Sequence, residues 1–408
     1  MKLLHTSDWH LGRTLYGKKR HAEFAAFLSW LEQMLTEQEI DILLVAGDVF
    51  DTNTPGNRAQ ELYYQFLSRI ALGPCRHVII IGGNHDSPSF LDAPQHLLRS
   101  LNVHVIGAAC DDPADEVITL KNKQGQPEAI ICAVPYLRDR DLRISAVGES
   151  IEEKEQKLLQ GIREHYAATG AHALECRGDS DVPIIGMGHL FTVDGKVEEG
   201  DGVRDLYVGS LGKVPASIFP DCYDYLALGH LHVPQRVAGK ENMRFSGSPI
   251  AMGFGEAYQQ KSLCLVEFDG CQCKVELLPI PLFQRLERVK GDLSNVSASL
   301  KKLAEAGQSV WVEVDYQGDA SVSQLRERLQ ADIEDSQVEI LRVRNAKARN
   351  KALRRDTAEE TLDEMNVHEV FQRRLAASEV EEPQQLKLKD MYHQVVKAVQ
   401  EADTREDS

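Results

Sequence analysis

A layered α/β fold built on a largely buried central sheet is the architecture this sequence predicts. Three observations carry the prediction. Short apolar runs alternate with amphipathic helical stretches over the first two-thirds of the chain. Several of those runs are apolar on consecutive residues, as strands covered on both faces are. Each ends in a polar turn. Lys2–Thr6 reads as the first strand, and His21–Thr36 sets Phe24, Phe27, Leu28, Leu31 and Leu35 on one helical face. Ile40–Ala46 is a continuous apolar run of strand length, Asn57–Ile70 a second helix and His77–Ile81 a third strand. A helix is expected near Leu91–Leu101, with further strands at Ala129–Val134, Pro183–Met187, Tyr223–Leu228 and Ser262–Phe268. Residues 139–181 are polar and helical with little strand character, and read as a surface insertion.

The rhythm changes near Phe283. Strand Phe283–Val289, helix Ser294–Ala306, strand Ser309–Tyr316, helix Ser323–Ile333 and strand Val338–Val343 form a βαβαβ unit. Leu341–Arg355 then carries seven basic residues and no acid, a block expected to stay extended by self-repulsion. Asn366 with Glu369 forms a capping box for a helix whose apolar face is Val367, Val370, Phe371 and Leu375, and a second helix follows with Leu388, Met391, Tyr392, Val395 and Val399. The expected division is residues 1–281, 282–345 and 346–408.

Composition narrows the function classes. The 408 residues are 42% hydrophobic and 27% charged, enough apolar material for a packed core. No apolar run approaches the ~20 residues of a membrane helix, and the N-terminus reads as a strand entering a turn rather than a signal peptide. Eight scattered cysteines are then expected as free thiols in a reducing cytoplasm. Against 46 Lys+Arg stand 63 Asp+Glu, a net charge of −17 that argues against a simple electrostatic nucleic-acid binder.

Five motifs follow the strands: Asp8-Trp9-His10, Gly47-Asp48, Gly82-Gly83-Asn84-His85-Asp86, Gly188-His189 and Gly229-His230-Leu231-His232. Taken singly, Asp-x-His or Gly-Asp in a turn is more often a cap or a hydrogen-bonded pair than a ligand. An apolar strand has less reason to end on Asn-His-Asp, and alternate residues such as His230 and His232 project to the same side. Five together at strand ends, where open α/β sheets gather ligand sites, point to a metal centre. The carboxylate, amide and imidazole donors suit Mn²⁺, Fe²⁺ or Zn²⁺, and the absence of thiolates disfavours a structural zinc site.

In this order the motifs closely resemble the calcineurin-like metallophosphoesterase superfamily. The resemblance implies a two-sheet sandwich flanked by helices, with a small α/β capping domain and a C-terminal helical pair. It implies two divalent cations, most often Mn²⁺: one held by Asp8, His10, Asp48 and His232, the other by Asp48, Asn84, His189 and His230. His85 corresponds to the family's transition-state histidine and Asp86 to its expected orienter. The residues around the motifs, such as His5-Thr6-Ser7 and Gly247-Ser248-Pro249-Ile250, resemble the bacterial nuclease subunits of that superfamily over almost the whole chain. Those act on DNA as exonuclease at double-stranded ends and endonuclease at hairpins or single strands. They work as homodimers within a heterotetramer, gated by an SMC-like ATPase, with no membrane partner. Archaeal and eukaryotic relatives carry a second active-site histidine where this chain has Asp51, so that role is not transferred.

Arg13, Lys18, Lys19 and Arg20 follow the first motif and are candidates for DNA phosphate contacts. Val370, Phe371 and Leu375 are candidate anchors for the coiled coil of the ATPase. A phosphomonoesterase or small-nucleotide phosphodiesterase on the same site is the enzymatic rival, and a non-catalytic scaffold is disfavoured because no ligand position is missing. Since Asp8, Asp48, Asp51 and Asp86 would lie near cations, the acidic balance becomes an expectation of weak, salt-sensitive, partner-dependent DNA binding.

Overall fold

Strands apolar on consecutive residues need cover on both faces, and the chain supplies it by packing two sheets against each other and helices outside them. The computed structural model describes residues 1–142, 151–192, 214–318 and 322–345, together with Phe371, Leu375, Gln385, Leu388, Met391 and Tyr392. It forms two compact units: Met1–Arg13, Arg20–Pro55 and Ala59–Phe283 in one, and Thr14–Lys19, Gly56–Arg58 and the chain from Gln284 onward in the other.

In chain order come β1 (Lys2–Thr6), α1 (His21–Glu37), β2 (Ile42–Ala46), α2 (Asn57–Ile70) and β3 (His77–Ile81). Two short helices, α3 (Pro88–Asp92) and α4 (Gln95–Arg99), lead to β4 (Val103–Ile106), β5 (Val117–Lys121) and β6 (Pro127–Ala133). After α5 (Asp139–Leu142) and α6 (Ile151–Arg177) follow β7 (Ile184–His189), β8 (Tyr225–Gly229), β9 (Gln235–Val237), β10 (Lys240–Phe245), β11 (Ser262–Asp269) and β12 (Gln272–Pro279).

One sheet runs β12-β11-β1-β2-β3-β4 and the second β5-β6-β7-β8-β10-β9. Between them lie Leu3, Ile42, Leu44, Ile79 and Ile81 from one side and Ile131, Ile185, Met187 and Ala227 from the other. The neighbouring residues Leu4, Leu43, Val45 and Ile80 face outward under α1 and α2, against Phe24, Phe27, Leu31 and Phe66. This alternation explains the unbroken apolar runs. Strands β1 to β4 are mutually parallel, as are β6, β7, β8 and β10, so their carboxyl ends collect on one edge of each sheet.

The surface insertion expected at 139–181 is corrected. Helix α6 is the crossover between parallel strands β6 and β7, and it buries Leu158, Ile162, Tyr166 and Ala173. Polar residues fill its other faces and mask that stripe. The single helix expected at 91–101 is two, separated at Ala93-Pro94, because Pro94 has no N–H to continue the ladder. Strands β4, β5, β9, β10 and β12 went unforeseen. They are short or lie toward sheet edges, and β12 leaves most of its residues exposed or half-buried.

In the smaller unit β13 (Arg285–Gly291), α7 (Leu293–Glu305), β14 (Val310–Tyr316), α8 (Val322–Ala331) and β15 (Val338–Asn345) form a three-stranded parallel sheet with β14 central. Asp292 caps α7 by accepting from the Asn295 N–H at 2.9 Å. Val289, Val310, Val312, Val314 and Ile340 meet Val296, Leu300, Leu325 and Leu329 in its core. Among the described C-terminal residues the rings of Phe371 and Tyr392 stack with centroids 4.0 Å apart. Leu375 is buried, whereas Leu388 and Met391 are exposed. Val370 and the linker after Asn345 lie outside the described residues.

Candidate metal centre

The loops that leave β1, β2, β3, β7 and β8 bring all seven candidate ligands together. Asp8, His10, Asp48, His189, His230 and His232 are buried, and Asn84 is half-buried. Two groups of donors emerge, Asp8 with His10 and His232, and Asp48 with His189 and His230, each with its ligand atoms within 4.8 Å of one another. Asp48 joins them: its Oδ2 lies 3.6 Å from His10 Nε2 and 3.3 Å from His189 Nε2.

Backbone strain concentrates here. Asp8, His10, Asp48 and His230 have φ of 54°, 48°, 51° and 105°, in a region L-residues rarely occupy. Such conformations persist where surrounding structure over-determines them. In this case the Asp8 N–H donates to Gly47 O and the His10 N–H to Asp48 O, both at 3.0 Å, locking the first two loops together. Gly83 is required by close approach, since a Cβ there would run into the carboxylate and amide of Asp48.

The histidines are oriented from behind. His189 Nδ1 lies 2.9 Å from Ala46 O, and because a carbonyl can only accept, Nδ1 carries the proton. His10 Nδ1 lies 3.3 Å from Asp51 Oδ1, and His232 Nδ1 3.4 Å from Glu256 Oε1. Each arrangement leaves Nε2 turned inward, the pattern of metal-binding histidines backed by a carboxylate or carbonyl. His10 Nε2 and His232 Nε2 are then 3.2 Å apart. Asn84 Oδ1 sits 3.0 Å from both His189 Nε2 and His230 Nδ1. Lone pairs converging this way suit a cation, and the mixed N/O donors suit Mn²⁺, Fe²⁺ or Zn²⁺.

Electrostatics agree. Burial pulls His10 down to about 4 and His230 down to about 3, favouring neutral imidazoles. At His189 burial acts in the same direction, but the Asp48 charge outweighs it and lifts the imidazole to about 9. Burial would raise Asp48, yet the charges of His189 and His85 hold it well below the usual carboxylate range. The pocket thus stabilises positive charge between Asp48 and His189, a place a proton takes when no metal does.

The other expected site residues fare differently. His85 stands beside His10 with ring centroids 4.9 Å apart. Its Nδ1 lies 2.9 Å from the backbone carbonyl of Asp51, and its own N–H donates to Asp48 Oδ1 at 2.9 Å. Asp86 as the orienter of His85 is therefore corrected. Its carboxylate instead accepts from the N–H groups of Gly83, Val49 and Phe50 at 2.9 to 3.1 Å, tying the third loop to the second. Arg13 pairs with Asp51 at 3.2 Å. Lys18 pairs with Glu339 at 2.6 Å and lies over Trp311, within the smaller unit, where Arg342 also donates to Tyr16 Oη at 2.6 Å. Arg20 is corrected as a phosphate contact, because its side chain is fully buried and paired with Glu23 at 2.8 Å. Lys19 is exposed. Sequence reading missed Glu256 altogether: a lone acid in Gly253-Phe254-Gly255-Glu256 carries no signal until folding sets it behind His232.

Comparison with known proteins agrees with this geometry. A family model described as calcineurin-like phosphoesterase matches residues 1–234, and one described as type 5 capsule protein repressor C-terminal domain matches residues 282–379. The chain is 38% identical over 395 residues to the D component of nuclease SbcCD from Escherichia coli K12, covering 96% of this chain and 97% of that one. It is 34% identical over 313 residues to the protein of that name from Rhodobacter capsulatus, with 74% of this chain and 76% of the relative covered. It is also 34% identical over 271 residues to the Bacillus subtilis protein, with 65% and 66% covered. A mixed carboxylate, amide and imidazole cluster at the strand ends of a two-sheet sandwich, shared along nearly the full length of such relatives, places this chain in the calcineurin-like phosphoesterase family, among the nuclease components of SbcCD complexes.

Proposed function

We propose that the chain is a metal-dependent DNA nuclease subunit, exonucleolytic at double-stranded ends and endonucleolytic at hairpins or single strands. It acts with an SMC-like ATPase in DNA recombination, replication and repair, as a homodimer within a heterotetramer. The observation that carries this reading is the pair of donor groups joined through Asp48. Asp8, His10, Asp48 and His232 would hold one cation and Asp48, Asn84, His189 and His230 the second, with Mn²⁺ the expected ion. When bound, such a pair supplies electrophilic polarisation of a phosphoryl oxygen and activation of water.

The chain's own residues do the rest. His85, with its Nδ1 proton committed to Asp51 O, has Nε2 left to hold a proton for the departing oxygen. Asp86 keeps the second and third loops in register, so that His85 and Asp48 stay aligned. Linear and hairpin DNA should be cleaved in Mn²⁺, faster with the ATPase subunit and ATP. Efficient hydrolysis of p-nitrophenyl phosphate with no cleavage of DNA under any of these conditions would replace this reading with the phosphomonoesterase one.

A further inference from the structure

His232 is held from two sides by a segment outside the five motifs. The Ser248 N–H donates to the His232 carbonyl at 3.1 Å, and the Lys261 ammonium donates to the same oxygen at 3.0 Å. On the other side of the residue, the ring Nδ1 faces Glu256 Oε1 at 3.4 Å. Glu256 is itself gripped: its Oε2 accepts from the Lys261 ammonium, from the Met252 N–H at 3.1 Å and from the Ser248 hydroxyl at 3.3 Å. Gly247, with φ +77°, permits this approach, since a Cβ there would meet the His232 carbonyl at 2.7 Å.

Ser248, Glu256 and Lys261 are all buried. A buried ion pair is a poor device for stability, because desolvation offsets most of the attraction. Its hydrogen bonds here converge on one residue, which a stability role does not require. We infer that Glu256 and Lys261 form a positioning clamp, fixing backbone and ring of His232 so that Nε2 is presented toward His10 Nε2, 3.2 Å away. The clamp sets the affinity of one of the two cation positions and leaves the other alone. It rests on the metal-centre reading proposed above.

The test is Mn²⁺ titration of the full chain, by calorimetry and by electron paramagnetic resonance, for wild type and Glu256→Gln. The expected result is one Mn²⁺ retained at wild-type affinity and the second weakened by about 10–100-fold, with cleavage recovered at raised Mn²⁺. Wild-type affinity at both positions, or equal loss at both, overturns the clamp. Because Glu256→Gln strands the Lys261 charge, the double variant Glu256→Gln/Lys261→Met is measured alongside and should show the same one-site loss. Should neither variant fold, ring ¹⁵N spectra of zinc-loaded wild type decide: a proton on His232 Nδ1 supports the clamp, and one on Nε2 overturns it. Failure of wild type to bind Mn²⁺ at all would instead remove the metal-centre reading, and the clamp with it.

Discussion

The imidazole of His85 is oriented by the backbone carbonyl of Asp51, Nδ1 to O at 2.9 Å, and not by a carboxylate. A carbonyl fixes the tautomer without adding charge, leaving Nε2 free for proton transfer. His85→Ala is expected to lower DNA cleavage by about 10²–10⁴-fold while both Mn²⁺ equivalents remain bound. Single-turnover cleavage measured beside a Mn²⁺ titration checks this, and full activity in the variant would remove His85 from the chemistry.

Asp51 serves His85 through its backbone and His10 through its side chain, while pairing with Arg13. Asp51→Ala therefore keeps the His85 contact and strips the support behind His10. Mn²⁺ affinity should fall by about 10–100-fold with cleavage rescued at higher Mn²⁺. A drop in turnover at saturating Mn²⁺ would point to a direct part in proton transfer.

Gly83 abuts Asp48 too closely for any side chain. Gly83→Ala is expected to displace Asp48, the residue common to both donor groups, and abolish binding of both cations. Circular dichroism separates this local effect from unfolding, and two bound Mn²⁺ in the variant would contradict the packing argument.

His5 on β1 reaches Tyr225 on β8, Nδ1 to Oη 3.0 Å, between the two sheets. Burial lowers its pKa from 6.5 to about 3. The folded chain thus keeps it neutral while the unfolded chain protonates it below 6.5. Its contribution is complete above that pH and is lost as pH falls toward 3, at no more than ~1.4 kcal/mol per pH unit. Urea unfolding of wild type and His5→Gln between pH 7 and 4 should show the stability gap narrowing or reversing on acidification.

Removing residues 356–408 is expected to abolish co-purification with the ATPase while Mn²⁺ binding persists. Pull-down and metal titration on the same preparation check both halves, and loss of metal binding would argue against a separable partner segment.

The α/β layering, the βαβαβ unit and the seven candidate ligands are all legible in the residue order, for one physical reason. Strands buried on both faces write their position as unbroken apolar runs, and loops at their carboxyl ends write theirs as polar residues with no packing purpose. Helix α6 misled because its buried stripe of Leu158, Ile162, Tyr166 and Ala173 is diluted by exposed charge. Strand β12 was missed because an edge strand tolerates polar residues at little cost.

Which residues stand behind the ligands is settled by the folded arrangement alone. Asp51 and Glu256 reach His10 and His232 across about 40 and 24 residues of chain, and Asp86 turns from its neighbour His85 to three amides. Those contacts depend on how loops from two sheets meet, a relation no local pattern encodes. The net charge of −17 was legible from composition, but its meaning was not. Folding gathers Asp8, Asp48, Asp51 and Asp86 at one site, and there the excess of acid becomes a place for cations.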